Sequence, residues 1–250
     1  MYLRINLSNR KKGEKMKTII HKSNSRGHAD FGWLNSRHTF SFGQYYDPQR
    51  INFGMLRVLN DDIVAGGAGF PTHPHSNMEI VSIPLSGELA HKDSTGNEKV
   101  IKTGEVQIMS AGSGLTHSEY NSSQNDEVNF LQIWVFPKEK DIKPRYDQKL
   151  FDEAGRQNKL QTVVAPNDDS AVWINQDSWF SLSDLNKGNT LDYSFNGTDS
   201  GVYVFVLEGE IQVEGNTLSK RDAIGVWDTE KISVTSSSDA QLLFIEVPMN

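Results

Sequence analysis

The chain has 250 residues, enough for one large β-domain or two domains of ordinary size. Apolar residues make up 36% and charged residues 23%, with 20 glycines spread along the sequence, which is the composition of a turn-rich globular protein rather than a disordered one. A net charge of -7 argues against direct nucleic-acid binding, which draws its affinity mainly from Lys and Arg, and the absence of cysteine leaves only imidazole and carboxylate to hold a metal.

Residues 1–15 are polar and lysine-rich and lack the apolar run of a secretory signal, so they are expected to form a loose extension ahead of Met16. No stretch of about 18 apolar residues occurs anywhere, so no membrane span is expected. The expectation is a soluble, cytoplasmic protein, monomeric by default.

From Phe53 to Phe136 short apolar or alternating runs (GMLRVL, MEIVSIPL, EVQIM, VNFLQIWVF) are broken by Gly, Asn-Asp and Ser clusters, the rhythm of antiparallel β-structure. No window holds a helical period over three turns. A charge-rich stretch with Pro144 follows, and then strand patterns resume in TVVAP, AVWI, SWFSL, GVYVFVLEGEIQV, AIGVW, ISVTS and QLLFIEV. The runs VSIPLSGELA and VFVLEGEIQV form a weak internal repeat, each placing a glycine turn between two strands, so duplication of one barrel is the economical reading. The expected organisation is an N-terminal domain at 16–137, a linker at 138–160 and a C-terminal domain at 161–250.

Chemistry concentrates in the first domain. Residues i and i+2 of a strand share one face, so His73 and His75 can enter one barrel interior together, and His117 and Glu119 repeat the arrangement further on. Three imidazoles and a carboxylate suit Fe, Ni, Mn, Cu or Zn, with positions left for water or substrate. No histidine lies after His117, so the C-terminal domain is expected to hold no metal. His91 reads as a solvated or supporting residue, and His21, His28 and His38 as hydrogen-bonding or pocket-rim residues. Arg26 and Arg37 read as structural ion-pair partners, and Phe53, Met55, Met109 and Leu115 as possible pocket walls.

The segments HPHSNMEIVSIPLSGELAHKDS and SAGSGLTHSEYN resemble the two cupin motifs of the pirin family, and the likeness extends through RGHADFGWLNSRHTFSF and YYDP. It covers the chain from about Met16. The resemblance implies an all-β bicupin, two antiparallel jelly-roll barrels in tandem, with one divalent transition metal in the first. Iron(II) is the first choice, with Ni, Mn, Cu and Zn open. Carried over residue by residue, the ligands are His73, His75, His117 and Glu119, with Glu119 also the catalytic base; Glu79, at the position where many cupins place the glutamate ligand, ranks behind Glu119 and is expected to pack or hydrogen-bond near the site. The activity implied is that of a quercetin 2,3-dioxygenase, cleaving a flavonol with O2. The alternative is a non-enzymatic, redox-responsive regulator that binds a transcription factor or metabolic enzyme as its protein partner.

Overall fold

The computed structural model describes residues 16–250; the expected loose extension at 1–15 lies outside them. Two barrels follow one another, each made of a seven-stranded and a four-stranded sheet. In the first, the large sheet runs in the spatial order Arg145–Leu150, Glu105–Ser110, Glu79–Ser86, Val128–Val135, Leu56–Val64, Leu34–His38, Gly27–Asp30. Its small sheet orders Gly69–His75, Leu115–Asn121, Glu88–Asp93 and Glu98–Lys102. Antiparallel pairing dominates, and the architecture is the expected bicupin.

Topology departs from the expected domain limits at two places. Arg145–Leu150, inside the expected linker, pairs with Glu105–Ser110 and so extends the first barrel's large sheet. Lys17–His21, expected in the N-terminal domain, pairs with Ala223–Trp227 and so belongs to the second barrel. Each strand has backbone groups that only a partner strand can satisfy once buried, and spatial reach rather than sequence order decides which partner that is. The side chains reinforce the second exchange, since the His21 imidazole hydrogen-bonds the Tyr203 hydroxyl at 2.8 Å.

The two large sheets pack on each other. Period-two alternation sends Leu131, Ile133 and Val135 of one strand, with Val81 and Ile83 of its neighbour, toward Phe180, Tyr203, Phe205 and Ile245 of the other barrel. The opposite faces line the two barrel interiors, and these differ. The second barrel is filled by one continuous apolar cluster, including Val202, Val204, Ile211, Val234, Leu242 and Phe244. In the first barrel the apolar core splits in two. Leu34, Val64, Leu89, Ile101, Val128 and Phe130 form one part, and Ile80, Met109, Ala111 and Leu115 the other.

Between those parts the inward positions are polar. Gln107 pairs with Ser82, Ser82 with Gln132, Gln132 with Asn60 and Asn60 with His38, a row across five adjacent strands. All five are buried.

Candidate metal centre

The polar band faces a cluster of histidines on the small sheet. His73 sits directly opposite His117 in the register of the Gly69–His75 and Leu115–Asn121 strands, and His75 opposite Leu115. A bulge breaks the register between His117 and Glu119, so that Glu119 faces Phe70. Gly69 is needed at this point, because a Cβ there would collide with the Glu119 carbonyl oxygen and Tyr120. The strands can therefore close up beside the two motifs.

His73, His75 and His117 each offer a ring nitrogen within 4.8 Å of the others, and His91, His117 and Glu119 form a second such group sharing His117. Ring centroids lie 4.5 Å apart for His73 and His117 and 4.9 Å apart for His75 and His117. His73 Nδ1 lies 2.8 Å from the Pro71 carbonyl oxygen. A carbonyl can only accept, so Nδ1 carries the hydrogen and Nε2 keeps its lone pair for the cluster. His117 is 2% exposed, yet neither of its ring nitrogens has a hydrogen-bond partner among the described residues.

Burying unsatisfied nitrogens is costly unless something else meets them, and a cation between the three rings would take up the lone pair of the unprotonated one. Burial, then the neighbouring rings, drive the pKa of His117 down, and burial followed by His73 brings His75 to about 4. Both rings are thus neutral at pH 7, the form that can donate a lone pair to a metal.

Glu119 is 3% exposed; its Oε2 accepts from Gln132 Nε2 at 2.8 Å and its Oε1 from the Ser82 hydroxyl at 3.3 Å. Burial raises its pKa, against the opposing pull of His91 and the Gln132 hydrogen bond. Glu79 is also buried, but it points the other way. It shares the face of Val81 and Ile83, and its Oε2 accepts from the Ser110 hydroxyl at 2.7 Å and from the Asn175 backbone N–H of the second barrel at 3.1 Å. Its role is between the barrels, which corrects the expectation that it packs or hydrogen-bonds near the metal site.

His91 is not solvated. It is 1% exposed, its ring stands 5.3 Å from His117 and 4.8 Å from Tyr146, and its Nε2 contacts Asp93 Oδ2 at 3.1 Å. Although burial works the other way, hydrogen bonds from Thr95, His91 and Asn97 hold the Asp93 carboxyl well below the usual range. That anion orients His91 and leaves its Nδ1 without a partner among the described residues.

Beyond the histidines opens a cavity of about 630 Å³, within the usual size of a small-molecule site. His73, His75, Glu119 and Gln132 line one part, and Phe31, Trp33, Phe42, Tyr45, Phe70 and Trp134 supply aromatic walls. His28 and His38 line it as expected of rim residues. The four expected wall residues do not. Phe53 and Met55 pack between the barrels, whereas Met109 and Leu115 fill the small apolar cluster with Ile80. Their side chains are apolar enough for either position, and strand phase assigns them to the core. Arg26 pairs with Asp61 at 3.5 Å, a structural ion pair. Sequence reasoning missed Ser82, Asn60, Asp62 and Gln132. The available signal was one uncharged polar residue at the inward phase of otherwise apolar strands, as in EIVSIPL and VNFLQIWV.

No helix among the described residues is long and apolar enough to cross a membrane. Residues 20–135 match the pirin family, and residues 162–247 match the quercetinase C-terminal cupin domain. A quercetin 2,3-dioxygenase of Escherichia coli strain K12 is 41% identical over 234 residues, covering 92% of this chain and 98% of that protein. A pirin-like protein of Caulobacter vibrioides is 39% identical over 222 residues, covering 88% and 95%. The solved structure of the bacterial pirin YhhW from Escherichia coli in complex with nickel(II) superposes with a TM-score of 0.88 at 39% identity, covering 93% of this chain and 99% of that one. Two barrels in one chain, a histidine cluster in the first and matches over nearly the whole length have one reading: this chain belongs to the pirin family.

Proposed function

We propose that the protein is a metal-dependent dioxygenase that cleaves a flavonol such as quercetin with O2. His73, His75, His117 and Glu119 hold one divalent ion, with iron(II) as the first choice. The observation that carries this reading is the convergence of three imidazoles at the head of an aromatic-walled cavity. The name borne by the Escherichia coli relative supports the substrate class. When bound, the metal supplies Lewis acidity toward the substrate's ionised hydroxyl and the electron exchange that O2 requires.

The protein's own groups do the rest. The aromatic walls take up a planar ring system and exclude water. Glu119, raised in pKa by burial, accepts the hydroxyl proton as the substrate docks. Gln132 and Ser82 hold that carboxylate in place, and the Pro71 carbonyl fixes the tautomer of His73.

The test is direct. Metal-loaded protein mixed with quercetin in air should bleach the flavonol absorbance and release one carbon monoxide per flavonol lost. His117→Ala should do neither. Metal-replete protein that leaves the flavonol untouched would overturn the enzymatic reading and turn attention to the metal-dependent regulator.

A further inference from the structure

Three adjacent strands of the small sheet each carry a pair of polar residues at i and i+2, and so on one face. Leu115–Asn121 lies in the middle with His117 and Glu119. Gly69–His75 flanks it with His73 and His75, and Glu88–Asp93 flanks it on the other side with His91 and Asp93. In register, His73 stands opposite His117 from the first flank, whereas His91 stands opposite Glu119, and Asp93 opposite His117, from the second. The central pair can therefore be completed from either side.

The spacing of the ligand atoms divides in the same way. His117 groups with His73 and His75 within 4.8 Å, and separately with His91 and Glu119 within the same limit. The first group opens on the cavity, which His73 and His75 line; in the second all three residues are buried, and only Glu119 lines the cavity. His91 also has a fixed tautomer. Thr95 and Asn97 donate to the Asp93 carboxylate, which accepts in turn from His91 Nε2–H across 3.1 Å and leaves the lone pair on Nδ1. That Nδ1 is buried without a hydrogen-bond partner among the described residues. A buried lone pair beside a second imidazole and a carboxylate, with no donor to meet it, is a place for a cation.

We propose that His91, through Nδ1, joins His117 and Glu119 in a second, inner position for the metal ion, reached by exchanging His73 and His75 for His91. His117 and Glu119 serve both positions. A neutral imidazole has one lone pair, so His117 binds in one position at a time and the chain still carries a single ion. Two imidazoles and a carboxylate accept the same divalent ions as the outer set. The inner position keeps the ion clear of the cavity, and only the outer one presents it to a small molecule. This inference rests on the metal centre and not on the dioxygenase reading.

The test is a titration with cobalt(II), whose visible absorption follows its coordination and needs no turnover. A His73→Ala, His75→Ala double variant should still load one cobalt(II) per chain, more weakly than the native protein. Adding His91→Ala should weaken that binding by more than about a hundredfold, beyond the roughly ten- to hundredfold cost of losing a residue that merely supports a ligand. Circular dichroism checks each fold, and Asn replaces Ala at positions 73 and 75 if the double variant does not fold. A folded double variant that binds no cobalt(II), or a smaller loss on adding His91→Ala, would overturn the inner position and leave the outer centre intact. Native protein that binds no cobalt(II) would overturn the metal centre as a whole.

Discussion

Gln132 donates its side-chain amide to Glu119 Oε2 across 2.8 Å, from the centre of the large sheet to the strand that carries the third histidine of the cluster. The two residues come from different sheets of one barrel, so the carboxylate is oriented by the wall opposite its own backbone. Removing the donor with Gln132→Leu should weaken metal binding by about tenfold, the usual effect of losing such a supporting hydrogen bond. Competition against a metal indicator would measure it. Unchanged affinity would mean that Glu119 holds its position unaided.

Glu119→Gln preserves size and an acceptor oxygen but removes charge and basicity. The variant should retain appreciable metal on the three histidines and lose most flavonol turnover, with a residual rate that climbs at high pH as the substrate ionises unaided. Elemental analysis beside a pH-rate profile separates the two effects. Full metal content with undiminished turnover would remove Glu119 from both proposed roles.

His117→Ala should abolish the stabilisation that added metal gives. Its ring nitrogens make no hydrogen bond among the described residues, so the metal-free variant loses packing but no hydrogen bond, and should still fold. Metal at 100 times its Kd should stabilise the native protein by about 2.7 kcal/mol and the variant by far less. Thermal melts with and without nickel(II) provide the comparison.

Glu79→Ala should give the opposite pattern. It strips the acceptor from the Ser110 hydroxyl and from the Asn175 N–H at the barrel interface, a loss of about 2–3 kcal/mol for buried groups left unpaired. Metal content should stay normal, because the side chain faces away from the histidines. Urea unfolding and metal analysis together decide it, and a folded variant without metal would return the carboxylate ligand to this position.

Asp62 supplies a pH dependence. Burial raises its pKa from the ordinary 3.8 to about 7, against the lowering effect of the Ser36 hydrogen bond. A carboxyl raised on folding favours the folded state when protonated, so its contribution is complete below about pH 4 and is lost as pH rises through 7. The difference of about three units corresponds to at most about 4 kcal/mol. In metal-free protein, Asp62→Asn should therefore gain stability relative to the native chain between pH 5 and pH 8. A difference that stays flat with pH would show Asp62 ionised throughout.

Much of this was legible in the residues themselves. Alternating apolar runs broken by glycine turns specify antiparallel sheets, because period two is a local property of the strand. His73 with His75, and His117 with Glu119, share faces for the same reason, so each motif could be read as a same-face pair before any fold was known. Local periodicity also divides residues between two faces, as it does along Val128–Val135.

What periodicity cannot say is what lies beyond each face. Glu79 and Glu119 are both buried acids in strands of the same barrel, yet only the packing of sheets sends one to the histidines and the other to the second barrel. The same holds for Lys17–His21 and Arg145–Leu150, whose partners lie far off or across an apparent linker. The row from Gln107 to His38 is built from one residue on each of five strands, brought level by register, and register is set by long-range pairing rather than by neighbours in sequence. The sequence determined the histidine motifs and the strands that bear them; the tertiary structure alone decided the cavity, the polar row beside it and which carboxylate faces the histidines, because those depend on which sheet faces meet.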